Sequence, residues 1–298
     1  MKVIDENTIL ATRGRKRARK ALSEVHNRRK ASIIEKIEED AFSDVRMVAE
    51  YVPSILAAYQ EEEDVFKPVP NYMNFQGDLR WAMRTVLVDW IIDVHYKLHL
   101  LPETLYLAVN LIDRFLSVRV VSIGKLQLVG VSGLLVASKY EEVASPSVET
   151  FVVLTDRSFT ENDILRAEKY LLHCLEYRIG CPSPLNWLRR CTQNTVAETL
   201  AVVILDLTLL SEHFLKYSPS VTGAAVSYAA RCLTQAPDNE VFHHYSPHSI
   251  QDLSECILAV KEYLAKPIVH VAVFKKHGAS FTKTLDKLDL IKVPECPR

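Results

Sequence analysis

The sequence predicts an all-α protein: two tandem five-helix units, a helix in front of them, and a basic tail that does not fold alone. Three observations carry this. Only 8 of the 298 residues are glycine, whereas strand-and-turn proteins use many. From Phe42 onward apolar residues recur at helical spacing, and a hydrophobic fraction of 48% is ample for sizeable cores. The small-residue run Gly133-Leu-Leu-Val-Ala-Ser is echoed by Gly223-Ala-Ala-Val-Ser-Tyr-Ala-Ala, as expected of a duplicated helical unit. The expected boundaries are 1–40 for a disordered basic tail, 41–181 for the first helix and first unit, 182–290 for the second unit, and 291–298 for a short tail.

Residues up to about 40 differ from the rest. Arg13 to Lys20 is a dense basic run, followed by Arg28, Arg29 and Lys30. Such a segment buries too little apolar surface to fold alone. Glu35, Glu38, Glu39 and Asp40 mark its end, so a net charge of −1 hides a basic tail on an acidic body.

A first helix is expected from about Val45 to Glu62, with Pro53 breaking or starting it. The connector Lys67-Pro-Val-Pro70 follows. The segment Trp81 to Leu100 is the most informative. Met83, Leu87, Trp90 and Val94 form one stripe at helical spacing, widened by Val86, Ile91 and Leu98 and extended by Val88 and Ile92. The apolar arc covers about two-thirds of the circumference, more than a surface helix needs, so it serves a core and a second surface. Arg84 and His95 fall inside that arc. A buried arginine requires an acidic partner, and Asp113, in the next apolar helix (about Pro102 to Leu116), is the candidate.

The third helix of the unit, about Lys125 to Val143, holds Gly130, Ser132, Gly133, Ala137 and Ser138. Small residues let neighbours approach closely, which makes it the hub. A fourth helix spans about Ser147 to Leu154. A fifth starts at Thr160, where Thr160 and Asp163 resemble a capping box, and ends near Gly180. Pro182-Ser-Pro184 reads as a linker. Helices of the second unit are expected at about Leu185 to Gln193, Ala197 to Leu215, Pro219 to Thr234 and Pro247 to Leu264, with a shorter piece from Val269 to Lys276.

Catalytic signatures are missing. The sequence contains no GxGxxG, P-loop, GxSxG or HExxH pattern. His95 and His99 stand four apart, a zinc-compatible spacing, but no cysteine or paired carboxylate completes a site, so one buried and one exposed histidine is expected. His243 and His244 read as loop residues, and Glu61 to Asp64 as an exposed charge run. Cys174, Cys181, Cys191, Cys232, Cys256 and Cys296 form no CxxC pair, which implies reduced thiols. The uncharged apolar stretch Leu126 to Ser138 is too short to span a bilayer. No apolar targeting core opens the chain. A soluble intracellular binding protein is expected, without cofactor or metal and with neither nucleic acid nor membrane as partner.

Met83-Arg-Thr-Val-Leu-Val-Asp-Trp90 resembles the opening signature of the cyclin box. The resemblance continues through Leu105-Tyr-Leu-Ala-Val-Asn-Leu-Ile-Asp-Arg-Phe-Leu116, Lys125-Leu-Gln-Leu-Val-Gly130, Leu135-Val-Ala-Ser-Lys-Tyr-Glu-Glu142 and Ile164-Leu-Arg-Ala-Glu-Lys169. It spans about residues 45 to 290 and is most similar to mitotic A/B-type cyclins, B more than A. It implies two stacked cyclin-box folds and a regulatory, non-catalytic subunit that activates a cyclin-dependent Ser/Thr kinase at the G2/M transition. By the same resemblance, Lys139 and Glu168 match the charged pair that meets the kinase's C-helix. Val136, Tyr140, Leu172 and Tyr177 match apolar positions beside it, and Tyr51 and Ile55 match contacts on the first helix. Ala58 stands where mitotic cyclins carry an aromatic residue. Met83, Leu87 and Trp90, with Asp93 and Gln127, match a groove for Arg-x-Leu motifs of substrates or inhibitors. Arg84 and Asp113 match a structural ion pair.

In the tail, Arg19, Leu22 and Asn27 fit the destruction-box pattern RxxLxxxxN, which implies recognition by a ubiquitin ligase. The tail is short for a mitotic cyclin, and Arg13 to Lys20 resembles a nuclear import signal, so nuclear and cytoplasmic locations are expected. The competing reading is a transcription-factor-IIB-like protein or transcriptional cyclin with the same two-box fold. A factor of the first kind needs basic helical faces and often a zinc ribbon, and the sequence offers neither.

Overall fold

The computed structural model describes residues 34–39, 48–193, 196–236, 239–278, 281, 287–291 and 293, and every described regular element is helical. The chain divides into two units between Ala57 and Ala58, inside the first long helix. On the N-terminal side, residues 34–39 are helical. A 3₁₀ turn, Ala49–Tyr51, leads into α1, Val52–Glu62. Pro53 therefore starts α1, where a missing N–H costs nothing. None of the residues of α1 is buried.

Beyond Ala58 the first bundle contains α2 (Trp81–Lys97), α3 (Pro102–Val118), α4 (Ile123–Glu141), α5 (Val148–Leu154) and α6 (Glu161–Cys174). Helix α4 is the hub: every residue from Leu128 to Ser138 is buried. A methyl at Gly133 would lie 2.7 Å from Ile112 Cγ1, so only glycine lets α3 and α4 pack this closely. Thr160 and Asp163 form the reciprocal capping box at the start of α6. Helix α6 stops at Cys174, short of the expected Gly180. Glu176 and Tyr177 adopt left-handed φ angles of 53° and 59°, and the Tyr177 N–H turns back to the Leu172 carbonyl.

The second bundle contains α7 (Pro184–Thr192), α8 (Val196–Leu209), α9 (Pro219–Thr234), α10 (Asn239–Tyr245) and α11 (Ser254–Leu264), followed by α12 (Val271–His277). Gly223 repeats the role of Gly133: a methyl there would lie 2.4 Å from the Pro184 carbonyl oxygen. Two expectations are corrected. Helix α8 ends at Leu209, not Leu215, because the chain enters a turn and a 3₁₀ segment, Glu212–Phe214, whose start Ser211 caps. Residues 247–253 are not helical. Ser249 and Asp252 exchange hydrogen bonds in a capped turn that feeds α11 at Ser254.

Buried polar groups join the two bundles. Arg84 on α2 donates to both carboxylate oxygens of Asp113 on α3, at 2.7 and 2.6 Å, and to the carbonyl of Leu209 on α8 at 2.8 Å. The Tyr72 hydroxyl donates to Asp113 at 2.8 Å. Burial, then the neighbouring Asp113 charge, pushes the Tyr72 pKa upward, so the phenol stays protonated. A second knot centres on Asp206 of α8, which is fully buried. It accepts from the Tyr106 hydroxyl on α3 at 2.6 Å and pairs with Lys276 and His277 of α12 at 2.8 and 2.7 Å. Burial alone would raise its pKa; the His277 hydrogen bond and the Lys276 charge outweigh burial and hold it at about 2.

Candidate functional site

The candidate interface begins where α4 leaves the core. After the buried stretch to Ser138, its last turn presents Lys139 and Tyr140, both exposed. A cation at this end also meets the negative pole of the helix. The partner comes from an unusual position. Ile164, Leu171 and Leu175 mark the buried stripe of α6 and its end, and Glu168 occupies the slot between them. A carboxylate on a core stripe must find a cation. Glu168 Oε1 lies 2.6 Å from Lys139 Nζ, with the side chains 11% and 45% exposed respectively. The pair sits at the border of core and solvent.

Tyr140 and Tyr177 are exposed at 55% and 66%, and Leu172 is half-buried. Val136 is a correction. It is 3% exposed and belongs to the hub packing of α4, so it supports the face from below and offers no surface of its own. Tyr51 and Ile55, in the N-terminal unit, are both exposed.

A separate apolar groove of about 510 Å³ lies between α2 and the start of α4. Met83, Leu87, Trp90 and Gln127 line it together with Val86 and Ile123. The over-wide arc of α2 is thereby explained: Val88, Ile91 and Ile92 enter the core, while Val86, 70% exposed, turns to the groove. Asp93 does not line it. Its carboxylate is held by Lys97 at 2.6 Å and by Lys275 of α12 at 2.8 Å.

The remaining residues singled out by sequence have structural surroundings. His95 is buried and its Nε2 lies 2.9 Å from the Leu101 carbonyl; burial, with Lys276 nearby, lowers its pKa to about 4. His99 is exposed, with a left-handed φ of 53° just past the end of α2. His243 and His244 are exposed on α10, a short helix where a loop was expected. Burial pushes the Cys181, Cys191 and Cys256 thiols up to about 12, which removes them as nucleophiles at neutral pH. Among the described residues no cluster of three metal-ligating side chains occurs, and no helix is long and apolar enough to cross a membrane. Arg19, Leu22 and Asn27, and the basic run, lie outside the described residues.

Three polar residues escaped sequence reasoning. Tyr72 and Asp206 complete the two buried knots. Glu63 had been counted in an exposed charge run but is 8% exposed. Its carboxylate accepts from the Ser220 N–H at 3.0 Å and the Ser220 hydroxyl at 2.8 Å, capping α9 from 157 residues away. The only signal was a carboxylate run preceding Phe66, with no partner legible nearby.

Comparison with known proteins agrees with this architecture. The family described as cyclin, N-terminal domain, matches residues 54–180, and cyclin, C-terminal domain, matches 182–288. The chain is 43% identical over 248 residues to the G2/mitotic-specific cyclin cdc13 of Schizosaccharomyces pombe, covering 82% of this chain and 52% of that one. It is 42% identical over 248 residues to the G2/mitotic-specific cyclin-B of Emericella nidulans, with the same coverage of 82% and 52%. The chain thus spans about half the length of these curated relatives. A viral cyclin from herpesvirus saimiri shares the fold, with a TM-score of 0.59, 16% identity, and coverage of 78% of this chain and 97% of that one.

Proposed function

The chain belongs to the cyclin family, and on that footing we propose that it is the activating regulatory subunit of a cyclin-dependent Ser/Thr kinase at the G2/M transition and in mitosis. The catalytic chemistry belongs to the kinase. The observation that carries the reading is the Lys139–Glu168 pair at the edge of an exposed face, with Tyr140 and Tyr177 beside it. Tyr51, at the end of the 3₁₀ turn, and Ile55 of α1, both exposed, are proposed as further apolar contacts with the kinase.

The mechanism is a population shift. A kinase C-helix that is loose alone is held in its working position by a rigid helical face. Moving the kinase from 1:99 to 99:1 in favour of the active form requires about 5.5 kcal/mol of differential binding. That ordering completes the kinase's Lys–Glu pair around ATP. The groove of Met83, Leu87, Trp90 and Gln127 is proposed to dock Arg-x-Leu motifs of substrates or inhibitors. Arg19, Leu22 and Asn27 are proposed to present the chain to a ubiquitin ligase, and the basic run to direct part of it to the nucleus.

Affinity purification of the full chain from cell extract, identification of the bound kinase and a histone phosphorylation assay test this reading. A cyclin-dependent kinase whose activity depends on the added chain is the expected result. Recovery of no kinase would overturn it. Replacing Arg19 and Leu22 by alanine is expected to lengthen the chain's lifetime in mitotic extract, and an unchanged lifetime would remove the tail reading.

A further inference from the structure

The first turn of α4 separates two hollows. Ile123 faces the groove described above, whereas Ser122 and Lys125 face a second hollow of about 310 Å³. Phe115 of α3, Leu128 and Val129 of α4, and Leu171 of α6 form its buried floor. This volume is near the lower end for ligand sites, which suits one or two side chains and not a whole helix.

The rim is apolar and cationic. The α3–α4 connection alternates, with Val121 8% exposed in the floor and Val120 71% exposed on the lip. Tyr170, 51% exposed, stands across from it on α6, its ring 5.8 Å from that of Phe115. Such contiguous exposed apolar residues mark an interaction site more often than an ordinary monomer surface. Arg119 and Lys125 are exposed at the same rim, and among the described residues no carboxylate lines the hollow. Of the acids beside it on α6, Asp163 is turned back into its capping box with Thr160 and Glu168 is held by Lys139.

We propose that this hollow docks a short acidic segment of a partner protein: one large apolar side chain fills the floor, and flanking carboxylates meet Arg119 and Lys125. Burying the apolar anchor supplies affinity, and the two cations select the sign of the flanking charge. A basic segment of the same hydrophobicity is repelled. The site is distinct from both the groove and the Lys139 face, and its occupation requires no kinase.

The test uses phage-displayed random dodecapeptides selected on the full chain, followed by methyl spectra of the valine- and leucine-labelled protein with the enriched peptides. Peptides pairing an aromatic or leucine residue with aspartate or glutamate are expected, shifting the methyls of Val120, Val121, Val129 and Leu171. The double variant Arg119→Glu/Lys125→Glu, whose side chains are exposed, is expected to weaken them by about tenfold or more with an unchanged melting temperature. Enrichment of no peptide, enrichment of basic peptides, or shifts confined to Val86, Leu87 and Leu126 would overturn the proposal. So would affinity within about twofold of wild type in the double variant. Because no step involves a kinase, the outcome is separable from that of the kinase assay.

Discussion

Arg84 and Asp113, both 2% exposed, form a two-pronged ion pair across α2 and α3, and the third prong of the guanidinium reaches the carbonyl of Leu209 in the second bundle. One side chain thereby fixes the packing within the first bundle and its junction with the second. Removing one member of such a pair leaves the other charge buried and uncompensated.

Arg84→Met is expected to destabilise the fold by about 3–5 kcal/mol, because Asp113 keeps only the Tyr72 hydroxyl. Tyr72→Phe is expected to cost about 1 kcal/mol, one hydrogen bond. Urea denaturation followed by circular dichroism measures both, and equal losses for the two would contradict this ranking.

Gly223→Ala is expected to destabilise by about 1–3 kcal/mol or more, because backbone atoms of α7 stand in the way of the methyl. Gly124→Ala is the control. Nothing lies within 4 Å of its added carbon, and it sits in the first turn of α4. A gain of up to about 1 kcal/mol is expected there from helix propensity. Thermal melts of the two variants should move in opposite directions.

The buried titratable groups set a pH dependence. His95 has its pKa lowered from an ordinary 6.5 to about 4 by burial. The unfolded chain therefore takes up the proton first, and the stability contributed by the neutral ring is present above pH 6.5 and lost as pH falls towards 4. The loss is about 3 kcal/mol. His95→Phe is expected to flatten the dependence in that window. Asp206, held at about 2, works at lower pH: its contribution is present above its ordinary 3.8 and lost as pH falls through 2. Denaturation midpoints from pH 7 to 4 in wild type and His95→Phe check the first window, and parallel curves would contradict it.

Asp206→Ala is expected to unlatch α12, since Lys276 and His277 lose their shared carboxylate and Tyr106 its acceptor. A loss of about 3–5 kcal/mol is expected. Hydrogen exchange should quicken in residues 271–277 before it does in α4. Uniform quickening would show that the knot is not specific to α12.

What the sequence made legible follows physical range. The Arg84–Asp113 pair was readable because a charge on an apolar arc must be neutralised, and Asp113 is the acid inside the apolar stretch of the next helix, whereas Glu103 stands in its first turn. The capping box at Thr160 and the Gly133 and Gly223 contacts were local or repeated signals. Asp206 and Glu63 were not readable, because their partners lie 100 and 157 residues away along the chain. Helix ends failed where the backbone turned left-handed at ordinary residues, as at Glu176 and Tyr177. Val136 failed differently: family resemblance placed it on the kinase face, whereas position on the hub helix places it in the core. Glu168 shows the reverse: resemblance named it together with Lys139, and the fold adds the direct 2.6 Å contact between them and the core stripe on which the carboxylate sits.

The most direct measurement is histone phosphorylation by the kinase purified with the wild-type chain, repeated with the double exchange Lys139→Glu/Glu168→Lys. The exchange retains an ion pair between the two positions, so the melting temperature is expected to hold while the charge offered to the kinase is reversed. Loss of kinase binding and activation by about tenfold or more is expected. Normal activation by a folded double variant would contradict the assignment of this face.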